Sequence, residues 1–184
     1  GQVSLADALA MATAARNVVL LGDPQQLPHV TQGVHPEGAG RSVLEHLLDG
    51  ASTVAPHRGL FLARSWRMHP DVCRFVSALS YDGRLESAPD RERQVITSSG
   101  LFGAGLRYVP VSHANNAQRS VEEAEVIASE VRVLLGNGTY TDVDGRRRPL
   151  TPADIVVVAP YNMQVRCLAA ILPRGVEVGT VHKF

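Results

Sequence analysis

Cysteine, net charge and long hydrophobic runs are what this sequence has least of. Its two cysteines, Cys73 and Cys167, are too few and too isolated for a disulfide framework or a CxxC metal site, so we expect reduced thiols in a cytoplasmic protein. No apolar run approaches the roughly 20 residues that span a bilayer. Residues 1–15 contain no basic stretch leading into an apolar core, which excludes a signal peptide there. We therefore expect no membrane partner.

The absence of net charge is less informative. Basic and acidic residues number 18 each, so no basic surplus indicates nucleic-acid binding. A protein that binds a single nucleic-acid strand needs only a local groove for it, so a net charge of zero does not exclude nucleic-acid binding. The basic run Arg146-Arg147-Arg148 adjoins a turn signal at Asp144-Gly145, and we interpret it as a solvated loop.

Short apolar runs alternate along the chain with amphipathic segments. Buried parallel strands are typically continuous apolar runs, and we predict strands at 18–21, 59–63, 106–111, 155–159 and 176–181. Helices are predicted at 4–16, 42–48, 70–80, 120–135 and 163–172, with a loop from His29 to Gly40. This alternation predicts an α/β fold with a doubly wound parallel sheet. Ser52 and Pro56 lie within residues 51–58, and Gly50 and Gly59 flank this segment, which favours a boundary there between two lobes, 1–54 and 55–184.

Polar clusters begin where the apolar runs end. They are Gly22–Pro28, Ser65–Pro70, Pro160–Asn162 and His182-Lys183. Ligands of open α/β sheets bind at the carboxyl ends of the strands. The four clusters therefore suit loops that present side chains to a shared cleft.

Each cluster alone has an ordinary structural explanation. The Gly22-Asp23-Pro24 tripeptide could be a strand-ending turn, and Arg67 could be a surface ion-pair partner. Trp66 could be a core aromatic, since large aromatic side chains are mostly buried. Tyr161 could cap a helix. Neither His29 nor His69 has a carboxylate or Cys beside it at metal-ligand spacing, so both are interpreted as structural and no metal ligand is predicted.

In this order and spacing, the clusters resemble superfamily 1 helicases, in the branch of the eukaryotic mRNA-surveillance helicase and the Dna2-type nuclease-helicases. The resemblance covers nearly the whole chain, and it implies a RecA-like doubly wound sheet, the lobe of a P-loop NTPase helicase. The matching segments are GDPQQLP at 22–28 (motif III), SWRMHP at 65–70 (motif IV), APYNMQV at 159–165 (the segment before motif V) and VGTVHKF at 178–184 (the first half of motif V).

The resemblance also predicts where this sequence lies in a longer protein. Gly1-Gln2 would directly follow the acidic residues of motif II, and Phe184 would fall inside motif V. Residues 1–54 would then be the C-terminal part of the first RecA-like domain, and 55–184 the second, truncated before motif VI. No GxxxxGK[ST] phosphate loop occurs in the sequence. We therefore expect these 184 residues alone to be inactive.

The cofactors implied by the resemblance are ATP and Mg²⁺, with most of their ligands outside this chain. Gln26 would sense the γ-phosphate, because a carboxamide can donate to a phosphate oxygen and accept from the attacking water. Asp23 would lie near the water shell of the magnesium ion. Arg67 would be an arginine finger that neutralises charge on the leaving phosphoryl group. Trp66, at a position usually Tyr in the family, would stack on the adenine.

Strand binding is assigned by the same resemblance to Pro160, Tyr161, Thr180 and His182. Hydroxyl donation to phosphates and contact with an aromatic face read the backbone rather than the base sequence. The expected partner is single-stranded DNA or RNA, with 5′-to-3′ movement on DNA favoured. Two alternatives stay open: a non-hydrolysing scaffold with a degenerate helicase fold, and a parent protein that also carries a fused nuclease domain.

Overall fold

A computed structural model of the chain describes residues 3–26 and 36–184. Residues 1–65 with 73–86 form one compact unit, and residues 66–72 with 87–184 form a second. The predictions made for Gly1-Gln2, Leu27-Pro28 and His29 concern residues outside the described ranges, as does most of the predicted loop at 29–40.

The helices of the described residues are α1 (Leu5–Ala12), α2 (Val43–Leu48), α3 (Pro70–Ser80), α4 (Val121–Asn137) and α5 (Asn162–Ile171). The strands are β1 (Arg64–Ser65), β2 (Glu86–Ser87), β3 (Val95–Thr97), β4 (Thr139–Thr141), β5 (Arg147–Pro149), β6 (Val156–Val158) and β7 (Glu177–Gly179).

Three of the five α-helices in the described residues begin at a serine N-cap. These serines, Ser4, Ser42 and Ser120, are the residues at which the sequence predicts the three helices to start. In each case the serine Oγ accepts the backbone N–H of the acidic residue three positions on, at 3.1 Å. This bond satisfies one of the free donors in the first helical turn. Helix α1 ends at Ala12 rather than near Arg16 as predicted. At this end, Thr13 donates its hydroxyl to the Ala10 carbonyl at 2.8 Å.

The core of the second unit forms where α4 and α5 cover the parallel pair β6–β7. Val157 of β6 lies opposite Val178 of β7 in that pair. The predicted parallel β–α–β arrangement of residues 155–181 is therefore confirmed, with α5 as the crossover helix. The buried side chains at the centre of this core are Ala124, Val131, Val157, Ala159 and Leu168.

The predicted strands at 18–21, 59–63 and 106–111 are wrong. Within residues 3–26 and 36–184 the strands form three small sheets, β1–β2, the antiparallel β3–β4–β5, and β6–β7. Val19, Leu21 and Tyr108 are more than 80% exposed. A strand is defined by the hydrogen bonds it shares with a neighbour, and in the described part of the chain the segments 18–21 and 106–111 have no paired neighbour. The strand predicted at 59–63 is displaced: the Ala63 carbonyl accepts the Glu86 N–H at 2.7 Å, and the strand itself, β1, begins at the next residue, Arg64. Strand β6 is also less buried than predicted, because Val156 and Val158 are half exposed.

The predicted turn at Asp144-Gly145 is confirmed and joins β4 to β5. Asp142 Oδ1 accepts the backbone N–H groups of Asp144 and Arg146, both at 2.9 Å. At the base of the hairpin the Leu150 N–H donates to the Gly138 carbonyl at 3.0 Å. The three arginines are exposed, as predicted, but Arg147 and Arg148 lie on a strand. None of the helices in the described residues is long and apolar enough to cross a membrane.

Candidate functional site

The loop at residues 22–26 is organised by the side chain of Asp23. Asp23 Oδ1 accepts the backbone N–H of Gln25 at 2.9 Å, and the Asp23 carbonyl accepts the Gln26 N–H at 3.4 Å. These two bonds form a tight turn with Pro24 and Gln25 at its tip. Asp23 is half-buried, whereas Gln26 is exposed. The Gln26 carboxamide is therefore accessible to a ligand.

The second oxygen of the same carboxylate is bound by Tyr81, a residue not predicted from the sequence to belong to the site. Asp23 Oδ2 accepts the hydroxyl of Tyr81 at 2.5 Å. Burial, followed by the bond to Asp23 and the negative charge of that carboxylate, raises the pKa of Tyr81 to about 12. The hydroxyl therefore stays protonated and donates to Asp23 throughout the neutral pH range. Asp23 and Tyr81 lie in the same compact unit.

Trp66 and Arg67 lie between the end of β1 and the start of α3. Trp66 is 65% exposed, so in this chain it is not a core aromatic. The guanidinium carbon of Arg91 lies 5.8 Å from the centroid of the Trp66 ring, within range of a cation–π interaction. Arg67 is exposed and forms no hydrogen bond or ion pair with the described residues. It is therefore available to an anionic ligand.

The residues on either side hold this segment in place. Ser87 donates its hydroxyl to the Met68 carbonyl at 2.7 Å, just after Arg67. His69 Nδ1 accepts the backbone N–H of Asp71 at 3.1 Å, at the beginning of α3. His69 therefore has a structural role, as predicted. No group of three or more His, Cys, Asp or Glu side chains in the described part of the chain is placed to hold a metal ion.

The predicted strand-binding residues Pro160, Tyr161 and Thr180 lie at one edge of the β6–β7 sheet. Because the two strands are parallel and Val158 pairs with Gly179, the segments that follow them leave the sheet side by side. Pro160 and Tyr161 are exposed, and Thr180 is half-buried. His182 is exposed in the 3₁₀ turn Val181–Lys183 that follows. The structure thus places these predicted residues together.

Gln164 fixes the start of α5 behind Tyr161, a role that was not predicted from the sequence. Its side chain is buried, its Oε1 accepts the Ser120 N–H at 2.8 Å, and its Nε2 donates to the Ser120 carbonyl at 3.0 Å. These bonds join the beginning of α5 to the beginning of α4. A polar amide one helical turn after Tyr161, on the face that packs against the core, was the available signal.

The predicted site residues are divided between the two compact units. Asp23 and Gln26 belong to the first unit, and the second contains Trp66, Arg67, Pro160, Tyr161, Thr180 and His182. Within each unit the predicted site residues are exposed or half-buried, so each group can contact a ligand. The predicted division of the chain into domains at residues 54 and 55 stays a prediction.

Residues 39–184 match the AAA domain family. Over 179 residues the chain is 29% identical to the mouse protein named 3′-5′ exoribonuclease HELZ2, covering 89% of this chain and 6% of that protein. It is 27% identical to mouse DNA replication ATP-dependent helicase/nuclease DNA2 and 26% identical to rat DNA-binding protein SMUBP-2. Each of these two alignments covers 92% of this chain and 18% of the relative. The chain therefore spans less than a fifth of the length of these relatives. No solved structure matches it.

Proposed function

This chain belongs to the AAA domain family, within the superfamily 1 helicases of the Dna2-like branch, and we propose that it is part of an ATP-driven motor on single-stranded nucleic acid. The observation that carries the proposal is the Trp66-Arg67 pair. An exposed aromatic ring beside an exposed arginine with no described protein partner suits a ligand with a base at one end and phosphates at the other. ATP has that chemistry.

Arg67 supplies a fixed positive charge for the transferred phosphoryl group. A planar guanidinium that is always protonated can neutralise charge spread over phosphate oxygens, and such fingers contribute on the order of 10³–10⁵ in rate. Gln26, on a loop held by Asp23, orients the attacking water and contacts the γ-phosphate. Trp66 provides the face on which the adenine stacks.

Asp23 suits a contact with the magnesium ion through water rather than direct ligation. Both of its oxygens already accept hydrogen bonds, from Gln25 and Tyr81, and each keeps a lone pair for a water molecule. Magnesium, if bound, would supply positive charge that neutralises the phosphates. Mg²⁺ usually keeps several waters in sites of this kind, and the remaining acceptor lone pairs of Asp23 would hold one of those waters.

The edge formed by Pro160, Tyr161 and Thr180, with His182 beyond it, is proposed to contact the strand. Thr180 can donate its hydroxyl to a phosphate, and Tyr161 can offer its ring to a base. Contacts of this kind do not depend on base sequence, as a translocating motor requires. Single-stranded DNA followed in the 5′-to-3′ direction is the proposed substrate.

The test is ATP turnover by the longer protein that contains this chain, with and without single-stranded DNA or RNA. We expect single strands to stimulate turnover, and we expect a duplex with a 5′ single-stranded tail to be unwound in preference to one with a 3′ tail. Strand binding without any turnover would instead favour the non-hydrolysing scaffold. The 184 residues alone serve as a control and should not hydrolyse ATP.

A further inference from the structure

The side chain of Asp23 is shared between two donors, and only one of them belongs to its own loop. Oδ1 closes the turn by accepting the Gln25 N–H, while Oδ2 accepts the Tyr81 hydroxyl 58 positions further along the chain. A carboxylate with one partner can rotate about its side-chain bonds. Held at both oxygens, it is fixed in direction, and the turn that it closes is fixed with it.

Tyr81 is well placed to act as the fixed end of this contact. It follows the last residue of α3, and its backbone N–H donates to the Ser77 carbonyl at 2.9 Å. The N–H of Gly83 donates to the same carbonyl at 3.0 Å, with Gly83 at φ 73° in the left-handed region that favours glycine. The backbone around Tyr81 is therefore held by the end of the helix.

The ring of Tyr81 is also supported from the side. Its centroid lies 6.1 Å from that of Phe61, and the Arg84 guanidinium lies 4.7 Å from the Phe61 ring. Arg84 in turn donates to Thr53 Oγ1 at 2.7 Å. The tyrosine hydroxyl thus reaches Asp23 from a packed and hydrogen-bonded surrounding.

We propose that Tyr81 is a positioning residue for ATP hydrolysis, which holds Asp23 so that the turn at residues 23–26 presents Gln26 to the γ-phosphate. This inference rests on the proposed function of Gln26. Tyr81 does not touch the reacting atoms. It acts through one hydrogen bond to Asp23, and Asp23 acts through the backbone of the turn. Loss of the tyrosine hydroxyl should therefore affect the rate of the chemical step more than the binding of ATP.

The first experiment measures the turn itself, in the 184-residue protein and without ATP. Tyr81→Phe keeps the ring and removes the hydroxyl. Amide hydrogen exchange at Gln25 and Gln26 should become at least several-fold faster in this variant. Tyr108→Phe is the matched control, since it removes a hydroxyl from a tyrosine that is 90% exposed, and it should leave both amides unchanged. Exchange in Tyr81→Phe equal to that in wild type would overturn the proposal.

The second experiment measures catalysis in the longer protein. For Tyr81→Phe we expect kcat to fall about tenfold while KM for ATP changes less than about twofold, and Tyr108→Phe should match wild type. Asp23→Asn should also lower kcat, and adding Tyr81→Phe to it should lower kcat little further, because the two residues act through one contact. Full additivity, or a Tyr81→Phe enzyme with unchanged kcat, would contradict the positioning role.

The two experiments separate failure of this inference from failure of the proposed function. If amide exchange at Gln25 is faster in Tyr81→Phe but the longer wild-type protein has no ATP turnover, the contact between Tyr81 and Asp23 is supported and the proposed motor function is refuted. If single strands stimulate ATP turnover by the wild-type protein and kcat is unchanged in Tyr81→Phe, the proposed motor function is supported and the positioning role of Tyr81 is refuted. Circular dichroism of each variant establishes that the fold is intact.

Discussion

The side-chain amide of Gln164 and the backbone of Ser120 exchange two hydrogen bonds, of 2.8 and 3.0 Å, across 44 positions of the sequence. Both residues are buried. One of the bonds satisfies the N–H of the N-cap residue of α4, and the other satisfies its carbonyl. Since Gln164 lies in the first turn of α5, the contact also fixes where Tyr161 leaves the sheet.

Replacing Gln164 by leucine should destabilise the protein markedly. The variant keeps about the same volume but leaves the Ser120 N–H buried without a partner, which costs about 1–3 kcal/mol. The Ser120 carbonyl loses the bond from Gln164 but keeps the one from the Ala124 N–H at 3.3 Å. Urea denaturation followed by circular dichroism measures the change. Gln118→Leu, at an exposed position two residues before Ser120, is the control and should change stability little. Equal losses in the two variants would show that the pair contributes nothing specific.

Acid should weaken the contact between Arg148 and Asp154. The Asp154 carboxylate accepts two bonds from Arg148, of 2.6 and 2.7 Å, and two from Thr151. The Arg148 bonds, followed by those from Thr151, hold the pKa of Asp154 well below its usual range. Because the folded pKa is lowered, the stability that this carboxylate contributes is fully present above about pH 4 and is lost as the pH falls through the folded pKa.

Comparing wild type with Asp154→Asn tests this acid dependence. The difference in unfolding free energy should be constant near neutrality and should shrink as the pH falls below about 4. Arg148→Ala removes the largest cause of the pKa shift, and in that background the effect of Asp154→Asn should be smaller. A difference that stays constant down to pH 2 would contradict the assignment.

At the alkaline end, Tyr81 should ionise well above the ordinary pKa of a tyrosine. Its pKa is raised from 10.0 to about 12. The folded pKa is the higher one, so the stability it contributes is fully present below about pH 10 and declines as the pH rises toward 12. Absorbance near 295 nm follows tyrosine ionisation. A transition near pH 12 should vanish in Tyr81→Phe and persist in Tyr108→Phe, and its persistence in Tyr81→Phe would assign it to another residue.

Neighbouring substitutions at Trp66 and Arg67 should separate binding from turnover in the longer protein. Arg67→Ala should lower kcat by on the order of 10³ or more while nucleotide affinity changes little, because the finger acts on charge that develops in the transition state. Trp66→Ala should mainly raise KM for ATP, with Trp66→Phe close to wild type. Steady-state ATPase kinetics and nucleotide titration give both constants. Equal losses of binding and turnover in Arg67→Ala would make it a ground-state contact.

Elements whose hydrogen bonds are local were predicted well from the sequence. Ser4, Ser42 and Ser120 each begin a helix, Pro70 is the first residue of α3, and Asp144-Gly145 turns a hairpin. The capping bonds and the turn bonds in these features join residues a few positions apart. The sequence around each residue therefore contains the information that decides its conformation.

The misses were features whose partners lie far away in the chain. The apolar run at Val18–Leu21 indicates a need for burial, but a strand also requires a neighbour, and no local pattern supplies one. The contact between Tyr81 and Asp23 and that between Gln164 and Ser120 join residues 58 and 44 positions apart. In the candidate site, the sequence predicts residues that lie within recognisable segments, whereas it does not predict the residues that hold those segments in place.

The bond between Leu150 and Gly138 at the base of the β4–β5 hairpin makes the tip of that hairpin a natural insertion point. Because the base is closed by its own hydrogen bond, extra residues between Asp144 and Gly145 would leave the ends of α4 and β6 where they are. Each doubling of a loop adds only about 0.6 kcal/mol of closure entropy. A fluorescent reporter or an affinity peptide could be placed at this tip without moving Tyr161 or the residues around it.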